Sequence, residues 1–405
     1  MKQEIRNWSR IYFEAIKIRQ NSEMISLHLR NWITYLLSFF CVFLFFPAVA
    51  PAMEINAKSA VLMDADSGRV LYEKNPHMRL PQASTTKITS GIIALEKGNL
   101  EDKVVISKYA AETGGSAIWL ETGEVLTLED LIYAMLLNSA NDATVAVAEH
   151  IAGSEKDFVE MMNSLAKDVG AVDTHYVNPH GLHDKNHYSS AYDLALLGRY
   201  AMKNPQFEKI VATQKRIIPW AGHEWNRMLT NKNAFIQNPE LYPGADGIKN
   251  GFTTPAGYCL VASATRDGMR LIAVVMDCPV ATEEVKKLFD YGFNNFDRTL
   301  LLSQGEVVKK VTLENKQELG LIAAEPLYAA LRLEEANEVQ MEITVPENIP
   351  LPLRKGTIYG KAIYKVDGEV VGMVNLLASQ DYEKPSFLSS LWSLVVNVLA
   401  YLAPA

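Results

Sequence analysis

Strand-like and helix-like patterning are segregated along this chain, and that segregation limits the available folds more than any other feature. Ala60–Asp64 and Arg69–Tyr72 are short apolar runs joined by Ala65-Asp66-Ser67-Gly68, which predicts a hairpin. A second hairpin is predicted far downstream, where Gly257–Thr265 and Met269–Met276 flank Arg266-Asp267-Gly268. The segments between carry helical spacing. Ser84–Lys97 stops at Gly98, and Thr127-Leu128-Glu129-Asp130 opens a helix to about Leu137 as a capping box. Asp142 is expected to cap the next, to Ile151. Glu155–Val169 and Ala191–Met202 follow, then Ala281–Phe296 beyond the second hairpin. A sheet core with helices drawn from both ends of the segment is an α+β domain, expected over 53–297.

From Leu300 the pattern changes. Glu306–Leu313, Glu338–Val345, Thr357–Val366 and Glu369–Leu377 are short strand-like runs, with a turn at Asp367-Gly368 and a Pro-rich break at Pro346–Pro352. They predict a small β-rich domain over 300–380, with no cluster of candidate catalytic groups.

Both ends are apolar. Ile33–Phe46 carries no charge, follows Arg30, and runs into Pro47 and the small residues Ala48-Val49-Ala50-Pro51-Ala52. That layout predicts a secretory signal peptide over 1–52, cleaved after Ala52, with Met24 as an alternative start giving a signal of normal proportions. The competing reading is an uncleaved anchor; either places the body outside the cytoplasm. Ser386–Ala403 is also uncharged, and Ser386, Ser389, Ser390, Ser393 and Asn397 fall on one stripe of a helix. At 1.5 Å per residue it spans about 27 Å, barely enough to cross a bilayer, so an amphipathic tether lying in the membrane interface is preferred to a spanning helix or one that packs on the core. Cys259 and Cys278 sit beside or within strand-like runs and could form one disulfide or remain buried thiols. Acidic residues outnumber basic ones, 47 to 39, and residues 1–52 take six of the basic and only three of the acidic. The acidic body argues against nucleic acid as a partner.

Three short motifs carry possible chemistry. In Ser84-Thr85-Thr86-Lys87 the serine and lysine share a helix face, so the amine can reach the hydroxyl. A serine needs such a base, and lysine serves only if its pKa is lowered by burial, neighbouring cations or a helix N-terminus. Ser139-Ala140-Asn141 occupies the break between two predicted helices; it is either an ordinary turn or a second serine and an amide suited to proton relay and substrate positioning. Lys249-Asn250-Gly251, with Phe252 and Thr253, lies at the approach to the second hairpin. It is either a turn with a surface lysine or a cation for a substrate carboxylate, with a glycine that lets an extended substrate lie close.

In that order and spacing the motifs resemble the penicillin-interacting serine enzymes, whose motifs are S-x-x-K, S-x-N and K-T-G. Ala83–Lys87, Ser139–Ala143, Asn178-Pro179-His180-Gly181-Leu182 and Asp246-Gly247-Ile248-Lys249 look like the low-molecular-mass penicillin-binding proteins that are D-alanyl-D-alanine carboxypeptidases of the S11 type. The resemblance implies a β-lactamase/transpeptidase-like domain, with an antiparallel sheet and helices on both sides. It further implies that Ser84 attacks the penultimate D-alanine of a peptidoglycan stem peptide ending in D-Ala-D-Ala and that Lys87 takes the proton. Ser139 would pass a proton to the departing D-alanine, Asn141 would position the substrate, and the N–H groups of Ser84 and Phe252 would form the oxyanion hole. Lys249 would attract the terminal carboxylate, with Asn250, Gly251 and Thr253 beside it. No cofactor is implied, and β-lactams would acylate Ser84. The family usually has Thr at the position of Asn250, which predicts retained activity with altered affinity. Rival readings are a D,D-endopeptidase or β-lactamase on the same fold, or a weak peptidoglycan-binding protein.

Four of the eight histidines, His175, His180, His183 and His187, crowd one Asn/Pro/Gly-rich loop. No H-E-x-x-H is present, which argues against a metal, and the resemblance implies that this region is structural and shapes the wall of the site. Glu160 is expected on a helix face.

Overall fold

A computed structural model describes residues 53–383, apart from 314–316 and 347–348, together with scattered positions between Tyr12 and Leu36, and Val395. The chain divides into two units, Met1–Glu54 and Ile55–Ala405. In the first, the described positions from 12 to 36 are helical and exposed. Among the described residues no helix is long and apolar enough to cross a membrane. Most of the expected signal segment, including Ala52, and all of 386–403 except Val395 lie outside the described residues.

The second unit begins with strands β1 (Ser59–Asp64) and β2 (Val70–Lys74), then a 3-10 turn (Ala83–Thr86) leading into helix α1 (Lys87–Lys97). The short pair β3 (Lys103–Val105) and β4 (Val125–Thr127) encloses α2 (Lys108–Ala111). Helices α3 (Leu128–Leu137), α4 (Asn141–Ala152), α5 (Glu155–Val169), α6 (Ala191–Ala201) and α7 (Pro205–Val211) follow. The hairpin β5 (Lys215–Ile218) and β6 (Arg227–Thr230) and the turn-length α8 (Ala234–Gln237) lead to β7 (Ala245–Thr253), β8 (Gly257–Arg266), β9 (Met269–Met276) and α9 (Ala281–Asn295).

The sheet runs β2-β1-β9-β8-β7, with every neighbour antiparallel. All six residues of β1 are buried, because both faces are covered and a strand so placed reads as a continuous apolar run. Two glycines locate the covering helices. A Cβ on Gly198 of α6 would meet Val261 and Ile272, whereas one on Gly292 of α9 would meet Leu271 and Leu62. Leu271 and Ile272 are consecutive in β9 and point to opposite faces, so α6 and α9 lie on opposite sides of the sheet. The helix starts follow local chemistry: Thr127 Oγ1 accepts from Asp130 N at 3.1 Å and Ser154 Oγ from Asp157 N at 3.1 Å.

Two expectations need correction. Asp142 does not cap α4; the helix starts at Asn141, and the Asp142 carboxylate instead accepts from the N–H groups of Ile118 and Leu120, both at 3.1 Å, and of Ala143 at 2.8 Å. A buried carboxylate beside a helix start finds its donors wherever the chain brings them, and here a loop supplies two. The Lys249–Thr253 stretch is not an approach to a hairpin but the second half of the nine-residue strand β7. Its Asp, Asn and two Gly residues are poor strand formers; pairing along β8, from Ala245↔Ala264 to Thr253↔Gly257, overrides them. Cys259 and Cys278 are buried free thiols.

The β-rich part comprises β10 (Asp297–Leu302), β11 (Val307–Thr312), β12 (Glu318–Ala323), β13 (Leu327–Leu331), β14 (Gln340–Thr344), β15 (Ile358–Val366) and β16 (Glu369–Ala378). Strands β11-β12-β16-β15-β14 form a second sheet, and β10 pairs with β13. The sequence pattern indicated four of these and missed β10, β12 and β13; β12 is interrupted by Gly320 and β13 is built mostly of alanine and leucine, so neither of those two carries a strong strand signature. This part docks on the first hairpin. Arg69 makes a two-pronged pair with Glu335, 2.7 Å on each side, and Asp64 accepts from Ala330 N at 3.2 Å.

Candidate active site

Ser84 sits in the 3-10 turn rather than in the α-helix, which starts at Lys87. Ala83 before it has φ +48°, a conformation an L-residue holds only when its surroundings impose it. The surroundings are visible. Thr86 Oγ1 donates to Ala83 O at 2.8 Å, and Gly181, at φ +90°, lies so close that a Cβ there would stand 1.9 Å from the same oxygen. His187 Nδ1 accepts from Val177 N at 3.2 Å, which places its proton on Nε2, 2.8 Å from Thr86 Oγ1. Burial pushes the His187 pKa down to about 4, so the ring is neutral.

One helical turn on, Lys87 Nζ lies 3.2 Å from Ser84 Oγ, 2.7 Å from Asn141 Oδ1 and 2.6 Å from His180 O. The amine is fully enclosed. Burial first, then the positive charges of Lys249 and Lys232, drive its pKa well below the ordinary lysine value, with Asp142 opposing. His180 is pushed down to about 3 by burial and by Lys87. His180 thus enters the site through its carbonyl, and its neutral ring accepts from Leu182 N at 3.2 Å. Among the described residues no group of three or more candidate metal ligands occurs.

Ser139 occupies the break between α3 and α4 with φ +60°, and its buried hydroxyl has no hydrogen-bond partner. Asn141 opens α4. Its N–H donates to Ser116 O at 2.6 Å and its amide to Gly114 O at 2.7 Å, which turns Oδ1 toward Lys87.

Strand β7 forms the opposite wall. Lys249 is buried, and burial together with Lys232 lowers its pKa to about 7. Its Nζ donates to Asn250 O at 3.0 Å, with Asn250 Oδ1 at 3.5 Å. Gly251 is where the strand meets the serine turn: a Cβ there would come within 2.7 Å of Ser84 N. Phe252 is 55% exposed and packs on Tyr258, ring centres 4.6 Å apart. Thr253 Oγ1 accepts from Ala256 N at 3.3 Å in the turn to β8. Thus the three motifs meet: Ser84, Lys87 and Asn141 in direct contact, Gly251 against the Ser84 amide, and Lys249 close enough to act on Lys87 by charge.

Sequence reading missed Lys232. It follows β6, its N–H bonds to Leu137 O at 3.0 Å just before the Ser139 break, and its Nζ reaches Ser116 Oγ at 3.5 Å. Its charge acts on both site lysines. No local motif marks it; Asn231 and Asn233 on either side are buried capping residues, which only the folded chain reveals.

A family described as D-alanyl-D-alanine carboxypeptidase, Peptidase_S11, matches residues 47–280. The chain belongs to that carboxypeptidase family. A second family, the C-terminal domain of penicillin-binding protein 5, matches residues 296–384. D-alanyl-D-alanine carboxypeptidase DacF of Bacillus subtilis is 38% identical over 347 residues, 83% of this chain and 88% of the relative. The carboxypeptidase DacC of Escherichia coli is 30% identical over 379 residues, 88% of this chain and 93% of the relative. Among solved structures, penicillin binding protein 5 from Haemophilus influenzae superposes with TM-score 0.69 at 32% identity, covering 83% of this chain and all (100%) of that one. The carboxypeptidase fold, an α/β catalytic part followed by an all-β part, accounts for both sheets described above.

Proposed function

We propose that the chain removes the terminal D-alanine from peptidoglycan stem pentapeptides through an acyl-enzyme on Ser84. Family membership makes it a serine peptidase of the D-alanyl-D-alanine carboxypeptidase type, acting on peptidoglycan outside the cytoplasm. The observation that supports the assignment to Ser84 is the fully enclosed Lys87 amine, shifted toward its neutral form, 3.2 Å from that hydroxyl. A neutral amine at that distance takes the proton as Oγ forms its bond to the carbonyl carbon of the penultimate D-alanine. The Ser84 and Phe252 N–H groups stabilise the resulting oxyanion, each worth roughly 3 kcal/mol. Collapse breaks the peptide bond; Ser139 hands its hydroxyl proton to the departing amine and takes one in turn from the Lys87 ammonium, which returns Lys87 to its neutral form. The Ser139 hydroxyl is buried and unpartnered before substrate arrives. Water then releases the acyl group, with Lys87 again as the base.

Lys249 and Lys232 attract the substrate carboxylate. With its pKa lowered to about 7, Lys249 is charged only in part at neutral pH, and an arriving anion draws the proton on. Asn250 offers an amide donor to the same carboxylate, and Thr253 a hydroxyl hydrogen. Asn141 holds Lys87 and faces the substrate. A β-lactam enters by the same path and remains on Ser84.

In this reading residues 1–52 are an export signal, 53–297 the catalytic domain, 300–380 a β-rich domain and 386–403 an amphipathic helix holding the enzyme to the outer face of the cytoplasmic membrane. Intact mass after incubation with penicillin tests the centre of the proposal: one adduct, mapping to the peptide with Ser84 and lost in Ser84→Ala. D-alanine release from a pentapeptide, set against hydrolysis of cross-linked dimers and of a chromogenic β-lactam, then tests the preferred reaction. No adduct would sink the acyl-enzyme.

A further inference from the structure

Beside the site stands an aromatic surface that the chemistry above does not use. Trp119 is 75% exposed and Trp225 63%. Trp119 is not on a loose loop. Its φ is +57°, a strained setting for a bulky residue, and both flanking residues are clamped. Ile118 and Leu120 are buried, and their N–H groups donate to the carboxylate of Asp142, the residue after Asn141. The carbonyls of Ile118 and Trp119 accept from Arg227 Nε and one of its terminal nitrogens, each at 2.9 Å. The same guanidinium lies 4.4 Å from the Trp220 ring, which stacks on His223 at 4.1 Å. His223 bonds Glu121 at 2.9 Å, and Trp225 follows at 6.3 Å from His223. A rigid backbone therefore presents a large ring to solvent, fastened to the helix that carries Asn141.

We propose that this aromatic platform binds the glycan of the substrate, an N-acetylated disaccharide, while the attached stem peptide occupies the Ser84 site. The inference rests on the carboxypeptidase reading. Flat exposed indoles pack against the C–H faces of pyranose rings at little entropic cost, and Glu121 and His223 at the rim offer partners to hydroxyl and N-acetyl groups. The spacing fits. Trp119 is three residues from Ser116, whose carbonyl holds the Asn141 N–H, so it lies within about 10 Å of that contact. Four stem residues separate the scissile bond from the sugar and span about 14 Å when extended.

The test compares kcat/KM for a disaccharide pentapeptide with that for the same pentapeptide without sugar, using the full chain. Trp119→Ala is expected to lower the first by about 2- to 10-fold, chiefly through KM, while the second and the rate of penicillin acylation stay within twofold. Trp119→Phe should recover most of the loss, and Trp225→Ala should show a smaller one. Equal losses on both substrates, or slowed acylation, would mean that Trp119 acts through Asp142, and the platform would be refuted. No loss on either substrate refutes it as well. Quenching of tryptophan fluorescence by the disaccharide alone separates the two readings. It is expected in the parent and weakened in Trp119→Ala even if the parent releases no D-alanine, and its absence in the parent overturns the platform alone.

Discussion

Gly251→Ala is the most searching single substitution. The added methyl would stand 2.7 Å from Ser84 N, 3.1 Å from Thr85 N and 3.1 Å from Ala83 Cβ. Two of the three are backbone atoms, so no flexible side chain can yield. Ordinary carbon contacts lie near about 3.5 Å, so the serine turn or β7 must withdraw by about 0.8 Å. The turn is backed by Gly181 against Ala83 O and by the Thr86 hydrogen bond, and β7 is paired through Gly251↔Cys259. Any retreat opens the gap between the Ser84 and Phe252 amides, and a retreat of the serine turn also disturbs the 3.2 Å contact of Lys87 with Ser84. Loss of one oxyanion donor costs about 100- to 1000-fold, so acylation by a fluorescent penicillin should slow by at least about 100-fold. Overpacking should cost about 1–3 kcal/mol of stability, leaving a folded protein. Stopped-flow acylation and thermal unfolding measure the two effects. A folded variant acylating within threefold of the parent would show that Gly251 does not govern the amide geometry.

Three more outcomes follow from the lysines and Asn250. The kcat/KM profile should rise with pH as Lys87 loses its proton and fall above about 7 as Lys249 loses the charge that attracts the carboxylate. Lys249→Arg cannot deprotonate in this range, so in any active variant the alkaline limb should move up by more than about two pH units; an unmoved limb would assign it to another group. Between about 7 and the ordinary value of 10.5 the unfolded chain holds a proton on Lys249 that the native chain does not, so stability rises with pH across that window and is lowest below it. Lys249→Met should therefore raise stability at pH 7 by a few kcal/mol, since each tenfold loss of proton affinity on folding costs about 1.4 kcal/mol. The gain should fade toward pH 10, and a lower melting temperature at pH 7 would contradict it. Asn250→Thr should change KM and penicillin affinity by less than about 10-fold, a range set by one hydrogen bond, and an unchanged affinity would remove this position from carboxylate binding.

What was legible in the sequence was local. Ser84 and Lys87 are three residues apart, and that spacing alone brings their side chains together. Ser139 was marked by a polar break between apolar helices, and the helix expected over Glu155–Val169 coincides with the observed one. What was hidden depends on pairing across the fold. The strand character of β7 is conferred by β8, against the preferences of its Asp, Asn and Gly residues. Asp142 looked like a cap because donors from a loop more than twenty residues earlier cannot be read from its neighbours. Lys232 lacks any motif, and its place beside two other lysines arises only when Leu137 and Ser116 converge on it.

The sheet order carries a consequence for how the polypeptide is made. Strand β1 emerges first, yet its inner neighbour is β9, and Asp64 and Arg69 find their last partners only at Ala330 and Glu335. Throughout most of synthesis the ribosome therefore presents helices without the central strand ladder that they must cover. Compaction is postponed by topology itself, which leaves the nascent polypeptide threadable until β9 has been translated, and its docking on the β-rich part waits until Glu335.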